Sequence, residues 1–103
     1  MICWTWDPAK AAVNLRKHRV SFKTAAQVLE DPFVLVHPDP HEDADRWRAT
    51  GRPTSGSHVI LIVIHTEPRL VEGRWVGRII SARRADRQER TSYEEGQPPP
   101  ASP

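Results

Sequence analysis

Apolar residues from Ile2 to Trp6 alternate with a period of two and stop at Asp7-Pro8, where Asp suits a helix N-cap and Pro the first helical residue. This predicts a strand followed by a short helix to about Lys17. Ser21 is a second N-cap candidate. After it, Phe22, Ala25, Ala26 and Leu29 recur at i, i+3, i+4, i+7, which predicts an amphipathic helix ending before Pro32. Phe33 to His37 reads as a strand closed by Pro38, and the acidic segment to Ala44 reads as loop. Arg46 to Thr50 alternates again, with Arg46 and Arg48 on one face and Trp47 and Ala49 on the other. His58 to Thr66 is almost wholly β-branched or Leu, as in a central strand covered on both faces. Glu67 to Gly73 reads as a connecting loop. Arg74 to Arg83 then forms the last strand, with Arg74, Val76, Arg78, Ile80 and Ala82 on one face. Asp86 and Glu89 have capping-box spacing, which predicts a polar helix to about Glu95.

The order of strand, two helices, four strands and helix predicts an α+β domain over residues 1–95 with a small, mainly antiparallel sheet. From Gly96 the chain is Pro-rich without apolar anchors, which predicts a disordered tail over 96–103.

Charge changes the picture by its distribution. Fifteen Lys+Arg against thirteen Asp+Glu leave a formal charge of only +2. Yet residues 30–45 hold Glu30, Asp31, Asp39, Glu42, Asp43 and Asp45 with no Lys or Arg, while 69–90 hold seven Arg and three acids. The stretch from Arg74 to Arg90 is therefore read as a grip on a polyanion, RNA first. Arg, which supplies twelve of the fifteen cations, binds phosphate oxygens bidentately where Lys is a point charge. A single cysteine, Cys3, excludes an intramolecular disulfide and a Cys-rich zinc module. Val59 to Ile64, the longest apolar run, is too short to cross a bilayer. A cytoplasmic protein is expected.

Three segments resemble one family. They are Trp6-Asp7-Pro8-Ala9-Lys10 with Asn14, Lys17 and His18; Ser21-Phe22 through Ala25-Ala26 to Asp31-Pro32-Phe33; and Arg78-Ile79-Ile80-Ser81-Ala82-Arg83-Arg84-Ala85 with Glu89 and Tyr93. Their order resembles the BrnT toxins. The resemblance implies a ribonuclease toxin of a type II toxin-antitoxin pair, a RelE-like fold, and a BrnA-like antitoxin partner through which alone operator DNA is bound. In this chain Pro68 interrupts the Thr-Glu-Arg word that the family often carries after its central strand.

RNA cleavage without a metal needs a base for the 2′-OH proton, cations around the pentacovalent phosphate and an acid for the leaving oxygen. Arg46, Arg78 and Arg83 are the candidate cations. His65 and Glu67, at the end of the central strand, are the candidate bases. Lys17, Arg48, Arg84 and Arg87 are read as RNA-backbone contacts, and Tyr93 as a residue on which a base stacks. Arg84, Arg87 and Arg90 equally suit a face that pairs with the antitoxin. His37, Asp39, His41, Glu42, Asp43 and Asp45 are rich in ligand atoms, but their spacing matches no zinc or calcium pattern, so neither metal nor cofactor is expected. Trp4, Trp6, Trp47 and Trp75 are read as packing residues, and Cys3 as inert. The competing readings are a non-catalytic nucleic-acid-binding module and a degenerate toxin that serves as an antitoxin-binding scaffold.

Overall fold

The computed structural model describes residues 1–40 and 45–97. Among them are six strands and three helices: β1 (Ile2–Thr5), α1 (Pro8–His18), α2 (Phe22–Val28), β2 (Leu35–Pro38), β3 (Trp47–Gly51), β4 (Leu61–His65), β5 (Arg69–Val71), β6 (Arg74–Arg84) and α3 (Arg87–Glu95). The caps follow the sequence. Asp7 accepts from the N–H groups of Ala9 and Lys10, and Ser21 from that of Thr24. Asp86 and Glu89 close a full capping box.

The strands form one mixed sheet in the order β1-β6-β4-β3-β2, with β5 also on β6. The sheet is mainly antiparallel, as expected, with one parallel pairing that was not: β1 runs parallel to β6, while the other four pairings are antiparallel. A parallel neighbour needs a crossover, and α1 and α2 are part of the chain that separates β1 from the rest of the sheet. The expected loop before the last strand also contains β5. Glu72 and Gly73 both adopt positive φ (49° and 77°), the pair of conformations that closes a two-residue hairpin between β5 and β6.

Register divides the side chains between two faces, since residues paired across antiparallel strands point the same way. Trp47, Ala49, Leu61, Val63, His65, Ile79 and Ala82 share the first face. Most of them pack with Val20, Phe22, Ala25 and Val28 of the helical layer as the core. Trp4 lies over this face as well. A methyl group on Gly77 would run into its indole, so only glycine permits that crossing. The second face carries Thr50, Ile62, Arg48, Ile64, Ser81 and Arg83.

One irregularity decides which arginines share a face. Ile64 pairs with Ser81 but His65 with Ile79, so Ile80 is an extra residue in β6, a β-bulge. Strict alternation would place Arg78 with Ala82 and opposite Arg83. The bulge instead returns Arg78 to the face of Arg83, and Ala82 joins the core.

Asn14 ties α1 to the sheet. β1 stops alongside Arg78, and beyond it the edge of β6 is completed by a side chain. The Asn14 amide accepts from the Ala82 N–H (3.1 Å) and donates to the Ala82 and Val20 carbonyls (2.9 and 3.0 Å).

The expected tail begins differently, since Gly96 takes up the left-handed cap of α3; residues 98–103 lie outside the described residues. Among the described residues no helix is long and apolar enough to cross a membrane.

Asn14→Ala leaves buried backbone groups of Ala82 and Val20 without partners. A loss of about 3 kcal/mol and a Tm lower by at least roughly 10 °C are expected. Urea and thermal unfolding followed by circular dichroism test this, and an unchanged Tm would contradict the role given to Asn14.

Candidate functional site

The second face is organised in rows that run across the strands. α3 lies at one end of it. The first row, beside α3, is Leu35, Thr50, Ile62 and Arg83; the second is His37, Arg48, Ile64 and Ser81. Backbone hydrogen bonds from Asp39 to Arg46 and from Thr66 to Arg78 extend the ladder to a third row of Asp39, Arg46, Thr66 and Arg78. Successive rows are about 6.6 Å apart, and Arg46 and Arg78 flank the end of β4 with Cα atoms about 10 Å apart. Sheet register thus gathers four arginines from distant parts of the chain.

Two of the four are held by carboxylates. Glu89, buried at the start of α3, takes Arg83 in a bidentate pair (2.8 and 2.9 Å) and lies 3.5 Å from Arg48. The same carboxylate accepts the Asp86 N–H of its capping box. Asp39 binds the other edge of Arg48 through Nε and Nη2 (3.1 and 2.7 Å). Burial alone would raise the Glu89 carboxyl, but the Arg83 hydrogen bonds, the Asp86 N–H and the charges of Arg83 and Arg48 outweigh it and hold the group below its ordinary 4.5. The hydrogen bonds to Glu89 correspondingly raise Arg83. Neither Arg46 nor Arg78 has an ion-pair partner among the described residues. Arg78 is exposed, with its backbone N–H on the Thr66 hydroxyl.

The expected bases separate. His65 is buried on the first face, beneath Trp4 at a centroid distance of 4.9 Å. Its Nδ1 lies 2.8 Å from the Thr66 carbonyl, so that nitrogen carries the proton. Burial keeps the ring neutral by lowering its pKa, against a smaller raising effect of the Thr66 contact. Glu67 is exposed beside Thr66, and its backbone N–H is held by Asp45 (2.8 Å). It therefore follows directly on the third row, whereas His65 points to the opposite side of the sheet.

Several expected RNA contacts fall elsewhere. Arg84 pairs with Leu61 on the first face, and exposed Lys17 lies on α1 beside Ile80 and Ser81. Arg87 is exposed at the first turn of α3, and Arg90 is exposed further along it. Tyr93 is buried, with its hydroxyl on Asp31 and the Arg52 guanidinium 5.4 Å from its ring, so it packs rather than presents a face. Burial and then Asp31 push its hydroxyl up to about 12. Of the tryptophans, Trp75 departs from the packing expectation at 51% exposed.

Sequence reading missed Glu89 and Asp39 as counter-ions. Capping-box spacing accounted for Glu89 without its second task, and Asp39 was grouped with the ligand-rich loop. Of that loop, 41–44 lie outside the described residues. Among the described residues no group of three or more His, Cys, Asp or Glu is placed to hold a metal ion.

Residues 6–89 match the family model described as "Ribonuclease toxin, BrnT, of type II toxin-antitoxin system". No curated protein matches the chain.

Acid should destabilise the fold in two stages. Folded His65 binds its proton less readily than unfolded histidine, so its contribution is complete above 6.5 and is lost as the pH falls from there toward the lowered folded value. Glu89 contributes fully above 4.5 and loses that contribution as the pH falls through its own lowered value. Unfolding measured from pH 8 to 3 should show His65→Gln flattening the upper stage and Glu89→Gln the lower one. Parallel profiles for Glu89→Gln and wild type would refute the ion-pair network.

Proposed function

The chain belongs to the BrnT family of ribonuclease toxins of type II toxin-antitoxin systems, and from that membership we propose that it cleaves RNA without a metal ion on the second face of its sheet. The family implies an antitoxin partner and an RNA target. We take the antitoxin to be BrnA-like, the fold to be RelE-like and the site of action to be the cytoplasm.

The observation that carries this reading is the row arrangement. Arginines on both sides of β4 share one face, and two of them have no ion-pair partner among the described residues. A phosphate settled between Arg46 and Arg78 meets cations fixed to a rigid sheet, which stabilise the charge of a pentacovalent phosphorus without a reorganisation cost. Arg48 and Arg83 stand on the same face in the neighbouring rows, where their guanidinium groups are held by Asp39 and Glu89, and they line the approach.

The 2′-oxygen of the substrate attacks the adjacent phosphorus and passes its proton to the Glu67 carboxylate. The bond from phosphorus to the 5′-oxygen breaks, that oxygen takes a proton from solvent, and a 2′,3′-cyclic phosphate remains. Glu67 is preferred to His65 because it is exposed and follows directly on Thr66, the residue that stands between Arg46 and Arg78, whereas His65 is buried on the other face. His65 braces the strand end instead. An antitoxin with acidic side chains would compete for the same four guanidinium groups.

Purified protein should cleave single-stranded RNA with EDTA present. Arg78→Ala should lower kcat roughly 10²- to 10³-fold at unchanged Tm, as for the loss of one charge-stabilising donor. Glu67→Gln should lower kcat by a similar order, while His65→Gln should cost more in Tm than in kcat. RNA left intact by wild type, or Arg78→Ala cleaving at the wild-type rate, would sink the proposal.

A further inference from the structure

The β5–β6 hairpin continues the arginine-bearing face past the candidate site. Arg74, Val76 and Arg78 share that face by alternation along a regular part of β6, and Arg69 joins them because it pairs with Val76. A residue opposite Val76 is the diagonal neighbour of both Arg74 and Arg78, about 7–8 Å away. Arg74 and Arg78 are themselves four residues apart on one strand, about 13 Å. The three strand positions form a triangle with Arg78 at its inner corner.

The triangle is open to solvent. Arg74 and Arg78 are exposed, and the Arg69 side chain is 74% exposed. Arg69 lies 3.5 Å from Asp45, an exposed ion pair of the kind that a phosphate displaces readily. Besides Asp45, the acids at this end are Glu67 and Glu72, which sit in the two turns and not on the paired strands.

The opposite face of the same hairpin has another chemistry. Ile2, Trp75 and Leu70 stand in register across β1, β6 and β5, and are 40%, 51% and 60% exposed. A nucleic-acid backbone has charge to satisfy only on the arginine side.

We infer that Arg69 and Arg74 form an RNA-backbone subsite that holds the phosphates flanking the one cleaved beside Arg78. This rests on the cleavage site proposed above, and it sets Arg69 and Arg74 as outer contacts in place of Arg84, which lies on the other face. Backbone contacts carry affinity and no sequence information, so the subsite serves binding of extended single-stranded RNA and not the chemical step.

Binding of the full chain to a fluorescent 2′-O-methyl oligonucleotide, which cannot be cleaved, reads the subsite directly. For single strands each neutralised phosphate contributes about 0.7 to the slope of log K against log salt, so Arg69→Ala/Arg74→Ala should flatten the slope by about 1.4. Arg69→Lys/Arg74→Lys should keep it, and Arg16→Ala, on exposed α1, serves as the control. On a long RNA substrate the double alanine variant should raise KM, and on a dinucleotide its kcat should equal wild type. If the alanine pair fails to fold, Arg69→Gln/Arg74→Gln is measured in its place.

An unchanged salt slope overturns the subsite. So does an unchanged slope accompanied by weaker antitoxin binding, which would assign these arginines to the protein partner. A flattened slope in a protein that leaves RNA intact upholds the subsite as a grip on RNA and overturns the cleavage reading alone.

Discussion

The extra residue in β6 is the constraint on which the rest of the molecule depends. Arg78 and Arg83 are five apart, an odd spacing that a regular strand would divide between its two faces. Ile80 absorbs one position, so both arginines reach the face where Glu89 waits. The same slip sends Ile79 and Ala82 into the core beneath the helices. A strand that supplied only one of these sets would give either a core without a site or a site without a core.

Around that strand the sheet is locked from three sides by single polar groups. The Asn14 amide stands in for a missing strand neighbour at Ala82. Asp31 accepts from the Arg52 and Phe33 N–H groups and from the Tyr93 hydroxyl, which ties the α2–β2 turn to the end of β3 and to α3. Glu89 holds the beginning of α3 against Arg83 and Arg48. In each case a buried or half-buried polar group has partners from distant segments, so removing one leaves others unsatisfied.

The electrostatics of the second face follow from those anchors. Arg48 and Arg83 spend part of their charge on Asp39 and Glu89 and gain a fixed orientation in return. Arg46 and Arg78 spend none on ion pairs among the described residues, and the cationic surface runs on through Arg69 and Arg74. A phosphodiester chain laid along β6 would therefore meet Arg74 and Arg69 first, then Arg78, and beyond it the anchored Arg48 and Arg83.

Helix starts were legible in the sequence because a cap is a local matter: Asp7, Ser21 and the Asp86–Glu89 box need only their own first turn. The apolar period of α2 and the β-branched run of β4 were legible for the same reason, as was the wealth of arginine in the C-terminal third. Which arginines meet was not. It depends on a bulge and on the parallel entry of β1, neither of which has a signature within a few residues, and on a hairpin at Glu72-Gly73 whose glycine was read only as loop. His65 and Tyr93 show the same limit, since both have the right chemistry at plausible positions and both are turned inward by contacts with Trp4 and Asp31. The sequence by itself determined the elements, their caps and the sign of the charge, because these depend on neighbours along the chain. Tertiary structure alone decided the face on which each charge stands, because a shift of one residue in strand register moves a side chain to the other side of the sheet.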